Sequence, residues 1–166
     1  MIKTLRLQHA GIKVRDLDRS IRFYEEVLGF RLRSRHEPGS HPSAPFGSAF
    51  LYLDDYHHQL AIFSVPADWV SSEGEDTCLR RDVGLHHLAF EVRGQKEFND
   101  AVVFLRSRED IEIVWGPLKL DESNGLWGGH EGVYFLDPDG NRIEIFHDSD
   151  LYPGSQPGWQ NEDTEG

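Results

Sequence analysis

Leu7-Gln8-His9-Ala10-Gly11-Ile12-Lys13-Val14-Arg15 and Leu85-His86-His87-Leu88-Ala89-Phe90-Glu91-Val92-Arg93 are one kind of segment written twice. The offset between them is 78 residues throughout, which sets His9 against His87 and Val14 against Val92. The far ends of the two units also correspond. Leu60-Ala61-Ile62-Phe63 answers Ile143-Glu144-Ile145-Phe146, with the offset grown to 83 by loop insertion. A unit used twice therefore offers four related positions: His9, Ala61, His87 and Glu144. Three carry metal-ligand side chains and the fourth carries a methyl group. Two histidines and one carboxylate, with a position left over, form the ligand set of non-haem ferrous oxygenases.

Strand alternation chooses between neighbouring histidines. Residues i, i+2 and i+4 of a strand share a face. Ala10, Ile12 and Val14 make one apolar face, as Leu88, Phe90 and Val92 do in the second copy, and these faces should pack on helices. His9 and His87 then point the other way, with Leu7 and Leu85. His86 corresponds to Gln8 and falls on the helix side, so His87 is the preferred ligand. A lone histidine on a half-buried strand is ordinarily hydrogen-bonded and inert. The matched pair and the phased glutamate weigh against that.

The rest of each unit follows from local signals. Asp16 can cap a helix through Leu28, with Leu17, Ile21, Tyr24 and Leu28 as its buried stripe and Gly29 as its stop. Strands are expected at Phe30-Arg31-Leu32, at 49–53 and at 59–63. His36 to Gly47, with three prolines and two glycines, reads as a loop. The second unit repeats the order: a strand over 85–93, then a helix with Phe98, Ala101, Val102 and Leu105 inward. Strands near 111–115, 132–136 and 142–146 complete it. The expected fold class is α+β, two βαβββ modules in tandem within one domain over 1–147. Module one spans about 5–64, a linker 65–84, and module two about 85–147. An irregular acidic tail takes 148–166, and its removal would change the net charge from −12 to −7.

Composition narrows the partners. The chain has 17 basic and 29 acidic residues among 166 and no basic cluster, so nucleic acid and anionic membranes are poor partners. The single cysteine, Cys78, has no partner for a disulfide or a cysteine-rich metal site. Ile2-Lys3-Thr4-Leu5-Arg6 gives no apolar signal core, and no stretch approaches the ~20 apolar residues of a membrane span. A cytoplasmic location is expected, and a reducing compartment suits a ferrous centre.

Three stretches together resemble the vicinal oxygen chelate superfamily. They are His9-Ala10-Gly11-Ile12-Lys13-Val14-Arg15-Asp16, Phe23-Tyr24-Glu25-Glu26-Val27-Leu28-Gly29-Phe30, and Asp137-Pro138-Asp139-Gly140-Asn141-Arg142-Ile143-Glu144. The superfamily includes glyoxalase I, fosfomycin-resistance proteins, methylmalonyl-CoA epimerase and the type I extradiol dioxygenases. The resemblance covers roughly residues 5–147. It implies an open, cup-shaped mixed sheet around a metal site, and a homodimer or higher homo-oligomer.

Finer features are similar to the extradiol dioxygenases. Val133-Tyr134-Phe135-Leu136-Asp137-Pro138-Asp139-Gly140, with Glu144 following, is similar to their closing signature. If the turn is centred on Asp139, Tyr134 lies directly opposite Glu144 and on its face, where a phenol could bond a substrate oxygen. His58, three residues before Ala61, resembles the histidine on the oxygen side of the iron, with His57 beside it as the alternative. Asp150-Leu151-Tyr152-Pro153, with Pro157 and Trp159, is similar to the end of catechol 2,3-dioxygenases. One departure stands out. The family's further histidine after the Gly-Pro pair would fall near Leu120, Asn124 or Gly125, and none of these is histidine. His130 is the one histidine in that stretch.

The resemblance implies an Fe(II)-dependent dioxygenase that cleaves a small aromatic diol with O₂. His9, His87 and Glu144 would be its metal ligands, and His58 and Tyr134 its catalytic residues. A fourth protein ligand at position 61, as in glyoxalase I, would occupy a coordination site, and Ala61 supplies none. Two alternatives belong to the same fold. One is an isomerase, lyase or transferase using Mn, Ni or Zn; the other is a non-catalytic small-molecule binder.

Overall fold

Asp16 ends one strand and begins a helix because its carboxylate accepts the Arg19 N–H at 3.0 Å, satisfying a donor that a helix start leaves free. In the computed structural model, which describes residues 7–40, 46–55, 57–66, 85–120 and 130–148 (backbone alone at 120, 130 and 148), that strand is β1, Ala10–Val14. The helix is α1, Leu17–Leu28. Gly29 closes it at φ 72°, a left-handed conformation that glycine takes without Cβ strain. The expected stripe is buried through Leu17, Ile21 and Tyr24, joined by Ser20 and Phe23, while Leu28 is half-buried.

Three strands complete the first sheet: β2 (Arg31–His36), β3 (Ser48–Tyr52) and β4 (Leu60–Ser64). Their order is β1-β4-β3-β2, with β1 parallel to β4 and the other pairs antiparallel. A second set follows: β5 (Leu88–Glu91), α2 (Gln95–Ser107), β6 (Ile113–Leu120), β7 (His130–Leu136) and β8 (Arg142–Asp148). The order β5-β8-β7-β6 repeats the first sheet, again with the one parallel pair between its first strand and its last. The duplication read in the sequence is thus a duplication of topology, two βαβββ modules.

Local lengths differ from the sequence reading for identifiable reasons. β2 runs on to His36 through a register shift between Leu32 and Ser34. β6 continues past Gly116 and Pro117 to Leu120 because a register shift between Trp115 and Leu118 absorbs that pair, after another between Ile113 and Trp115. β1 and β5 start only at Ala10 and Leu88. Alternation therefore does not extend back through 7–9 or 85–87, and Leu7 and Leu85 are 90% and 49% exposed instead of facing inward. The helix-side face behaves as expected where β1 is regular, with Ile12 and Val14 buried. In α2, Phe98, Val102 and Leu105 are buried and Ala101 is half-buried.

The described residues divide into two compact units. One is the chain up to 66 together with the turn Asp137–Gly140; the other is 85–136 together with the residues after that turn. Within the first unit the turn is held by polar groups. The Tyr24 hydroxyl, on a side chain with no exposure, donates to Asp137 Oδ2 at 2.9 Å. Asp139 accepts from Arg19 Nη2 at 2.9 Å, Arg15 Nη1 at 3.2 Å, the Arg15 N–H at 3.3 Å and Ser20 Oγ at 3.4 Å. Buried charges persist where such partners exist. Among the described residues, no helix is long and apolar enough to cross a membrane. Cys78, most of the 65–84 linker and the tail from 149 lie outside the described residues.

Candidate metal centre

Glu144 sits in the middle of β8 and is 5% exposed. Its register partners are Ala89 on β5 and Tyr134 on β7, so the hairpin arithmetic that set Tyr134 opposite Glu144 holds. The methyl group of Ala89 leaves room beside the carboxylate. His87, two residues earlier, brings its Nε2 to 3.2 Å from Glu144 Oε2. Its Nδ1 lies 2.7 Å from His86 Nδ1, so His86 meets the far side of the ring. Glu144 and His87 are an ion pair when the imidazole is protonated. When it is neutral, a nitrogen and a carboxylate oxygen converge, the donor types that divalent cations take. A buried carboxylate with an imidazole at this distance fits a metal ion.

Tyr134 completes this group. Its ring meets His87 edge-on, with centroids 5.7 Å apart, and Trp115 on β6 lies against it at 5.1 Å. The Arg142 guanidinium stands 5.7 Å from the Tyr134 ring centroid, and that cation lowers the cost of negative charge nearby.

The first unit repeats the frame with different side chains. Ala61 pairs with Gly11 and Phe50, as Glu144 pairs with Ala89 and Tyr134. Phe50 therefore holds the place of Tyr134, and Ala61 that of Glu144. The histidines gather beside Phe50. The His58 ring lies 4.7 Å from His9, 4.8 Å from Phe50 and 4.3 Å from His57 by centroids. Gln8 ties the cluster together, donating from Nε2 to the His58 carbonyl at 3.0 Å and meeting His9 Nδ1 through Oε1. Burial lowers the His58 imidazole below its ordinary value, helped by His57 and His9, which favours the uncharged ring.

The structure brings His87, Glu144 and Tyr134 together in one unit, and His9 and His58 together in the other. Among the described residues, no group of three or more His, Cys, Asp and Glu side chains forms a metal site. His57 shares the cluster with His58, its Nδ1 2.6 Å from that of His58. The His130 side chain, Asn124 and Gly125 lie outside the described residues. Sequence reasoning missed Trp115, and it missed the polar anchors of the Asp137–Gly140 turn. A phenol in a helix stripe was the available signal for the second, since a buried tyrosine hydroxyl needs a partner.

Residues 6–145 match the family described as Glyoxalase/Bleomycin resistance protein/Dioxygenase superfamily. A virulence protein of Salmonella typhimurium is 29% identical over 84% of this chain and 82% of its own length. Its crystal structure superposes with a TM-score of 0.56 at 25% identity, covering 89% of this chain and 99% of that one. A lactoylglutathione lyase of Haemophilus influenzae is 28% identical over 90% of this chain and 98% of its own. Biphenyl-2,3-diol 1,2-dioxygenase 3 of Rhodococcus globerulus is also 28% identical, over 92% of this chain and 68% of its own. With eight strands in two like-ordered sheets among the described residues, a phased histidine–glutamate pair and a family match over most of its length, the chain belongs to the glyoxalase/bleomycin resistance/dioxygenase superfamily.

Proposed function

We propose that the protein is an Fe(II)-dependent extradiol-type dioxygenase that opens a catechol-like ring with O₂. In this reading His9, His87 and Glu144 hold the ion. When bound, it supplies Lewis acidity toward the two diol oxygens and a path for electrons to O₂. The observation that carries the reading is the contrast between equivalent places in the two modules: Glu144 faces Tyr134, whereas Ala61 faces Phe50. At these places one module offers a carboxylate and a phenol, and the other, which contributes His9, offers no ligand side chain. That asymmetry suits a centre that must keep places for a diol and for O₂.

The protein's own groups have distinct tasks. Tyr134 is buried beside His87 and Glu144, so its hydroxyl can donate to a substrate oxygen and hold the ring in one orientation. His58, assigned by its family resemblance, accepts and returns a proton on the oxygen side, with the apolar Phe50 ring against it. The balance of the reaction is simple. The ring C–C bond beside the diol breaks, and both atoms of O₂ enter the open-chain product. The protein works in this reading as a cytoplasmic homodimer or higher homo-oligomer, which covers sheet edges, and a monomeric mass by light scattering contradicts that part.

A second reading has support of its own. The Haemophilus lyase is as similar as the Rhodococcus dioxygenase and is matched over more of its length. In that case Mn, Ni or Zn replaces iron and O₂ takes no part. Loading the metal-free protein with Fe(II), Mn(II), Ni(II) or Zn(II) decides between them. Turnover of a catechol by the Fe(II) form alone supports the dioxygenase. Turnover of the methylglyoxal–glutathione adduct by the Ni or Zn form supports the lyase.

A further inference from the structure

We propose that Trp115 is a substrate-recognition residue whose indole forms an aromatic subsite, stacking on the part of the substrate beyond its diol. This inference rests on the proposed reading of His87 and Glu144 as ligands of a metal ion that binds the diol.

Register carries the argument. Trp115 pairs with Tyr134, Tyr134 with Glu144, and Glu144 with Ala89, so the four form one row across β6, β7, β8 and β5. Residues directly opposite each other project from the same face of a sheet. Trp115 therefore shares a face with the His87–Glu144 pair and stands two strand spacings, about 9.5 Å, from Glu144. Its ring lies 5.1 Å from that of Tyr134 at an interplanar angle of 41°, yet 45% of Trp115 is exposed while Tyr134 is buried. The row thus runs from charged ligands, through a buried phenol, to an open indole face.

The backbone is shaped to present that face. β6 shifts register on both sides of Trp115, between Ile113 and Trp115 and again between Trp115 and Leu118. Bulges of this kind re-aim a side chain, and they gather beside active sites. Gly116 takes φ +82°, and a Cβ there would meet the Gly132 carbonyl oxygen at 2.5 Å. The chain after Trp115 thus approaches β7 as closely as a glycine permits. The indole packs against Tyr134 while 45% of Trp115 stays open to solvent.

The order of the row sets the ligand. A diol bound to an ion held by His87 and Glu144 would have its first ring beside Tyr134, where an unsubstituted catechol ends. A second ring, or another flat apolar substituent, continues toward Trp115. Stacking on an indole suits that substituent and gives nothing to a small one.

Anaerobic calorimetry on the Fe(II)-loaded protein with catechol and 3-phenylcatechol tests the subsite. The wild type should prefer 3-phenylcatechol. Trp115→Ala should lose about tenfold of that preference, and Trp115→Phe should restore most of it. The same ratio should appear in KM, with kcat for the two diols changing in parallel. Should Trp115→Ala fail to fold, Trp115→Leu, which keeps apolar bulk without a ring face, decides by the same ratio. A wild type that binds neither diol overturns the catechol reading and the subsite together. A wild type without preference, or a folded Trp115→Ala that keeps it, overturns the subsite alone.

Discussion

Removing one oxygen atom, in Tyr24→Phe, probes the contact that fastens the Asp137–Gly140 turn to α1. The phenol is wholly buried and donates to Asp137 Oδ2 at 2.9 Å, on a residue that is itself 4% exposed. Phenylalanine fills the same volume, so little packing is lost and the cost is that of a buried acceptor deprived of its donor. That amounts to about 1–3 kcal/mol. With a urea m-value of roughly 2–3 kcal/mol/M, the midpoint should fall by about 0.3–1.5 M at pH 7. Alkaline pH gives a second signature. Burial pushes the Tyr24 phenol well above its ordinary value near 10, and the adjacent charges of Asp137 and Asp139 push it further. Above about pH 10 the unfolded chain therefore releases a proton that the folded chain retains. The stability that Tyr24 contributes is complete below that pH and falls as pH rises through it, by up to ~1.4 kcal/mol per unit. Tyr24→Phe should lack that component of the slope. Urea unfolding of both proteins between pH 7 and 11 measures it. A variant within about 0.5 kcal/mol of wild type at pH 7, with the same alkaline slope, refutes the reasoning.

Asp139→Ala should destabilise by about 2–3 kcal/mol in the same assay, less than a fully buried pair because Arg15 and Arg19 remain partly exposed to water, with Asp139→Asn intermediate. Glu144→Ala and His87→Ala should lose bound metal by elemental analysis while His86→Ala retains it; equal retention in all three removes the ligand assignment. His58→Phe should keep metal and diol binding but lower kcat by ~10²–10⁴-fold, with His57→Phe doing far less; steady-state kinetics on the pair would falsify the assignment if the order were reversed.

Much of this was legible in the sequence because duplication and alternation are periodic signals. The 78-residue offset anticipated two modules with the same succession of elements, and counting back from Asp139 placed Tyr134 opposite Glu144. Asp16 and Gly29 bounded α1 because capping is local chemistry. What stayed hidden depended on irregularity or distance. The bulges around Trp115 break the period that a pattern search follows, so β6 was read as ending there. The Tyr24–Asp137 bond joins residues 113 apart in sequence, which no local signal reports. His9 and His87 precede their strands, so alternation misplaced Leu7 and Leu85, although the imidazole it preferred in the second module is the one that meets Glu144.

Oxygen accounting decides whether the protein performs oxygen chemistry on a diol. Anaerobic, Fe(II)-loaded protein is given a catechol, then ¹⁸O₂, and the product is weighed by mass spectrometry while O₂ uptake is recorded. One O₂ consumed per diol, with both labelled atoms in a ring-opened yellow product, is the predicted result. Diol left intact without O₂ uptake, while the Ni or Zn form isomerises the methylglyoxal–glutathione adduct, contradicts it.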